Sequence, residues 1–164
     1  PLIMYWGPFG HANNHANILK VNDLINSFDW LSVKKNEAYP VFTNASANDP
    51  LPWPNNVDST KPGQVNAFFR WKGVTETADS IEMSLFVTSP SELKTAFPIP
   101  TEAIADVSLR RLKKLKVAPK ATVRWTFGAA SGEAQADAAG LVTIPQIKMT
   151  AEAATLTVRN TNRN

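Results

Sequence analysis

Few residues in this chain are equipped for acid–base or nucleophilic work. Its 164 residues include no cysteine and two histidines, His11 and His15. Disulfides, thiolate chemistry and Cys-based zinc sites are thereby excluded, and the redox compartment stays open. His11 follows the apolar run Met4-Tyr5-Trp6 and the turn Gly7-Pro8-Phe9-Gly10. An imidazole just past the carboxyl end of a buried strand lies where α/β sheets gather their reactive groups. Oriented by an acid, it can take the proton of a nucleophilic serine. His11 is therefore the candidate general base, with a packing or helix-capping histidine as the plain alternative. His15 falls in the first turn of an expected helix, where it can orient neighbours. The two stand at the i,i+4 spacing of a helical zinc pair, yet a zincin places a Glu general base directly after the first histidine, and Ala12 is there instead. No dedicated metal site and no cofactor are expected.

A nucleophile is harder to find. The elbow pattern G-x-S-x-G is absent. Ser27 and Ser32 fall on the expected helix, Ser46 and Ser59 in a linker, and Ser131 beside Gly132 in an expected hairpin. Acidic residues are scattered, and Asp29, Asp49, Asp58 and Asp137 read as helix-surface or turn positions. For ligand contact, Trp53 stands out because Pro52 and Pro54 hold it in an irregular segment. Trp125, by contrast, alternates with Val123 and Phe127 and should point into a core. The densest cationic run is Arg110-Arg111-Leu112-Lys113-Lys114-Leu115-Lys116. Clustered cations attract phosphates and carboxylates. The plainer reading is the solvated face of an exposed edge strand, where Lys discourages strand-to-strand association.

The elements that position these groups follow from periodicity. Pro1–Trp6 is nearly continuously apolar, which suits a strand buried on both faces, as in a parallel sheet. Such a strand needs neighbours that a lone strand cannot supply. The expectation is a chain cut from something longer, or completed by a partner chain. Ile18, Val21, Leu24, Ile25, Phe28 and Leu31 recur at spacings of three and four, one stripe of a helix ending near Lys34-Lys35. Residues 36–64 carry Pro40, Pro50, Pro52, Pro54 and Pro62 among Asn, Asp and Ser, and read as a Pro-rich linker at a domain boundary. From 65 onward the sequence is strand-like. Candidates are Val65–Lys72, Ile81–Thr88, Val107–Val117, Ala121–Phe127, Leu141–Ile144 and Ala154–Arg159, with one helical turn at Ser91–Thr95. Short strands between Gly, Pro, Ser and Asp turns predict an immunoglobulin-like β-sandwich over 65–164.

Composition agrees with a folded chain: 43% hydrophobic and 19% charged, enough for a core without staples. A formal net charge of +3 is too slight to imply nucleic acid. No apolar run approaches the roughly 18–20 residues needed to span a membrane. Neither nucleic acid nor membrane is expected as a partner.

The run Met4-Tyr5-Trp6-Gly7-Pro8-Phe9-Gly10-His11, followed by an amphipathic helix, resembles the last sheet strand, catalytic-His loop and final helix of an α/β-hydrolase. Within that superfamily it resembles bacterial acetylxylan-esterase-like and PhoPQ-activated pathogenicity-related enzymes, in which a β-sandwich can follow the final helix. The resemblance covers residues 1–35 and only loosely the rest. It implies a secreted or periplasmic serine hydrolase, acting on a polysaccharide-derived ester, with His11 as general base of a Ser-His-Asp/Glu triad. The family's order is Ser, acid, His, so nucleophile and acid would belong to an N-terminal hydrolase portion or a partner chain. The alternative is a non-catalytic β-sandwich module that binds glycan or protein.

Overall fold

The computed structural model describes residues 5–6, 22, 25–26, 34–47, 64–65, 68–93 and 99–161. Within them the chain is mainly β. Strand β1 (Tyr5–Trp6) is followed by β2 (Tyr39–Thr43), β3 (Gln64–Val65), β4 (Phe69–Glu76) and β5 (Ser80–Val87). Then come β6 (Glu102–Arg110), β7 (Thr122–Phe127), β8 (Ala130–Gln135), β9 (Thr143–Thr150) and β10 (Ala154–Asn160). Two antiparallel sheets make the sandwich: a five-stranded sheet ordered β4-β5-β10-β7-β8 and a three-stranded sheet ordered β2-β6-β9.

Strand β5 shows why these residues choose strands. Ile81, Met83, Leu85 and Val87 alternate with Ser80, Glu82, Ser84 and Phe86; the first set is buried and the second half-exposed. A period of two puts each set on one face. Leu156 and Val158 of β10 and Val123 and Phe127 of β7 continue the buried face. Ala103, Ala105, Val107 and Leu109 of β6 with Ile144, Ile147 and Met149 of β9 meet it from the opposite sheet, in one core. Each large side chain buried there contributes about 1.5–3 kcal/mol. Phe42 of β2 stacks on Phe69 of β4, ring centroids 4.7 Å apart, and ties the sheet edges together. Trp125 packs against this core, as its alternation predicts.

Several boundaries differ from the sequence reading, each for a physical reason. The linker expected over 36–64 contains β2, which pairs with β6 from Tyr39↔Arg110 to Thr43↔Asp106. Pro40 argues for coil, but β2 is an edge strand, where a residue without an N–H is tolerated. The strand expected over Val65–Lys72 is divided, Gln64–Val65 forming β3 and β4 beginning at Phe69. The strand expected over Val107–Val117 lies earlier, at Glu102–Arg110, and the basic run leaves it at Arg111, whose φ of +57° breaks the extended backbone. The strand at Leu141–Ile144 starts later and runs to Thr150. Ser131-Gly132 lies within β8; the hairpin turn is Gly128-Ala129, between the paired Phe127 and Ala130. The helical turn begins at Ser89, whose carbonyl accepts the Glu92 and Leu93 N–H groups, while Glu92 Oε2 accepts the Ser89 N–H at 3.2 Å. The Glu92 carboxylate thus caps the start of the turn, while the Ser89 hydroxyl pairs with that of Ser91 at 2.7 Å.

The opening run reads as a parallel-sheet strand, but the neighbour described for Tyr5–Trp6 is antiparallel, with Tyr5↔Val65 and Trp6↔Gln64. Of the expected helix, Asn22, Ile25 and Asn26 are described and helical. Ile25 is 36% exposed, although its spacing assigns it to the apolar stripe. Among the described residues no helix is long and apolar enough to cross a membrane.

Candidate functional site

The end of β4 organises the most distinctive polar feature of the sandwich. Glu76 Oε1 accepts three consecutive backbone N–H groups, from Lys113 at 2.7 Å and from Lys114 and Leu115 at 2.9 Å. Successive amides turned onto one anion form a nest, and hydrogen bonds to a carboxylate are stronger than neutral ones. Leu115 anchors the loop below, at 1% exposure in the core. Arg111 begins the loop with its guanidinium 5.7 Å from the Tyr39 ring centroid. The basic run is thus a pinned loop, and the exposed side chains of Lys113 and Lys114 project from it.

Beside this loop lies a cleft of about 260 Å³. One wall is the turn before β2, contributing Lys34, Asn36 and Glu37; the other is Lys113 and Lys114. Ala38 and Val74 supply apolar lining, and Glu76 completes it. The Glu37 N–H donates to the Lys34 carbonyl at 3.4 Å and closes the turn. Three lysines and two glutamates, Glu37 and Glu76, therefore line the cleft, and one Glu76 oxygen is engaged by backbone. Such a lining can hold an anionic group of a ligand, with Asn36 and Glu37 available to hydroxyls. Among its lining residues there is no Ser, Thr, Tyr, Cys or His to act as a nucleophile or an imidazole base.

The groups with displaced ionisation lie elsewhere and are structural. Asp106 stands opposite a bulge in β9, where Gln146 adopts φ +56°. Its Oδ1 accepts the Gln146 N–H at 2.9 Å and its Oδ2 accepts from Asn44 Nδ2 at 2.7 Å. The Asn44 bond first, then the Gln146 amide, hold its carboxyl below the usual range. Asp137, in the turn between β8 and β9, is lowered chiefly by the Leu141 N–H and next by that of Ala139. Burial lowers the Arg70 guanidinium, partly countered by Glu92.

His11, His15 and Trp53 lie outside the described residues, so the geometry brings none of them to this cleft or away from it. Among the described residues, no group of three or more His, Asp or Glu is placed to hold a metal ion. Sequence reasoning singled out the basic run but not Lys34, Asn36, Glu37 or Glu76. Glu76 reaches Lys113 across 37 positions, and no local pattern announces such a contact. No protein-family model, curated protein or solved structure matches the chain.

Proposed function

We propose that the sandwich is a non-catalytic binding module that takes a carboxylate-bearing polysaccharide in the cleft beside the Glu76-pinned loop. The observation that carries this reading is the convergence of Lys34, Lys113 and Lys114 on one small cleft. Its size suits a sugar ring, and its charge suits a uronate carboxylate. Affinity electrophoresis of the full chain in gels containing polygalacturonate tests it. Retardation that a neutral glycan does not reproduce, and that Lys113→Ala/Lys114→Ala removes, is the expected result. Equal mobility in all gels rejects it.

A second reading rests on the sequence run ending in Gly10-His11. In it the chain is the C-terminal part of a secreted, carbohydrate-esterase-like serine hydrolase, with His11 as base, Trp53 as a ligand contact, and an immunoglobulin-like sandwich that positions substrate. The two readings are compatible, since a glycan-binding module beside an esterase keeps the enzyme at its polymer. Its test is ester hydrolysis by the full-length gene product. Activity lost in His11→Ala, with polygalacturonate binding kept, supports it. Activity unchanged in His11→Ala removes it. Secretion is checked by locating the protein in culture fractions.

A further inference from the structure

Among the described residues the two sheets of the sandwich present four edge strands, and three of them are built to refuse a neighbour. Strand β2 carries Pro40. Strand β4 bulges at Gly73-Val74, where its register against β5 shifts and Gly73 takes φ +64°. Strand β9 bulges at Pro145-Gln146 and carries Lys148. Proline, bulges and lysines are the usual guards against edge-to-edge pairing. Strand β8, Ala130-Ser131-Gly132-Glu133-Ala134-Gln135, has no proline, bulge or lysine, and its one charge, Glu133, is already paired with Arg124 of β7 at 3.2 Å. It pairs with β7 in unbroken register, and its residues are exposed or half-exposed on the surface of the chain.

The register fixes which of its backbone groups are free to pair. The Ala136 N–H donates to the Ala121 carbonyl. Alternate residues, Ala134, Gly132 and Ala130, therefore bond to β7, and Ser131, Glu133 and Gln135 turn their N–H and C=O groups outward.

We propose that β8 docks antiparallel on β8 of a second copy of this chain, joining the two five-stranded sheets into one. The strand is self-complementary about Gly132. A two-fold axis there sets Ser131 of each copy opposite Glu133 of the other, so a hydroxyl meets a carboxylate, and each such pair exchanges both of its backbone hydrogen bonds. Gly132 faces Gly132 and Ala130 faces Ala134, which leaves the Trp125 ring undisturbed; that ring already lies where a Gly132 side chain would go, 2.9 Å from an ideal Cβ. Shifting the axis to Glu133 would set two like charges face to face, which disfavours that register.

The absence of cysteine makes the test specific. Directly opposed residues in such a pair have Cα atoms about 5.5 Å apart, within disulfide reach. Ser131→Cys and Glu133→Cys chains are each purified, mixed and oxidised. The proposal expects a cross-linked dimer from the mixture and far less from either variant alone. Light scattering of the unmodified chain between about 10 and 500 µM, where an interface this small assembles, should show mass rising towards the dimer. Ser131→Pro, which removes an outward N–H and no bond to β7, should stay monomeric with an unchanged circular dichroism spectrum. A monomer throughout that range overturns the proposal. So does cross-linking that is equal in all three samples, which would indicate unspecific contact, or a dimer that survives Ser131→Pro.

Discussion

Removing the Glu76 carboxylate should unpin the basic loop, and the size of the effect follows from the three amides it holds. A hydrogen bond to a charged acceptor is worth about 1.5–3 kcal/mol, but three bonds to one oxygen do not add. Lys113 and Lys114 are exposed, so water can replace their acceptor, whereas the Leu115 amide is partly buried above a core side chain. A buried donor left without an acceptor costs about 1–3 kcal/mol, so Glu76→Ala should destabilise by about 2–3 kcal/mol. At this chain length that lowers the melting temperature by about 4–12 °C. Glu76→Gln keeps an acceptor oxygen, loses the charge assistance and should cost about 1 kcal/mol. Urea denaturation followed by tryptophan fluorescence measures both. Glu76→Ala within about 0.5 kcal/mol of the parent, the ordinary range of a surface change, would refute the nest as a structural anchor. So would Glu76→Gln falling as far as Glu76→Ala.

Further expectations concern the same framework. Gly132→Val sets a side chain where Trp125 Cζ2 lies 2.9 Å from an ideal Cβ, and should destabilise by about 1–3 kcal/mol with a red shift of tryptophan emission. Leu115→Ala empties a core position under the basic loop and should cost about 2–5 kcal/mol in urea denaturation. The Asp106 carboxyl is depressed in the folded state, so its stabilisation is present above its unfolded value and is lost as pH falls through the lowered folded one. Denaturation midpoints measured on acidification should therefore decline less steeply in Asp106→Ala than in the parent. A parallel decline would remove Asp106 as the clamp between Asn44 and the Gln146 bulge.

Legibility in the sequence tracked how local each determinant is. Strands β5, β7 and β10 declare themselves because Ile81-Met83-Leu85-Val87, Val123-Trp125-Phe127 and Leu156-Val158 alternate with polar residues. Strand β2 is hidden by Pro40, whose meaning depends on whether the strand is an edge, and that is known only once β6 has paired with it. Strand β6 is misplaced because its inward residues begin with Ala103 and Ala105, too small to raise a signal. Leu112, Leu115 and Val117 meanwhile lend the basic loop a strand-like look, although Leu115 is buried as a loop anchor. The cleft was legible only in Lys113 and Lys114 of the basic run. Its other wall comes from the turn before β2, and Glu76 joins the two through a contact distant in sequence. His11 and Trp53 rest on sequence alone.

The proposed function stands on binding of anionic polysaccharide at the lysine cleft. It is tested most directly by titrating the isotopically labelled full chain with an oligogalacturonate and following backbone amide resonances. Saturable shifts centred on Lys34, Asn36, Val74, Lys113 and Lys114, abolished in Lys113→Ala/Lys114→Ala, are the expected result. Absent shifts, or shifts centred instead on the segments around His11 and Trp53, would contradict it.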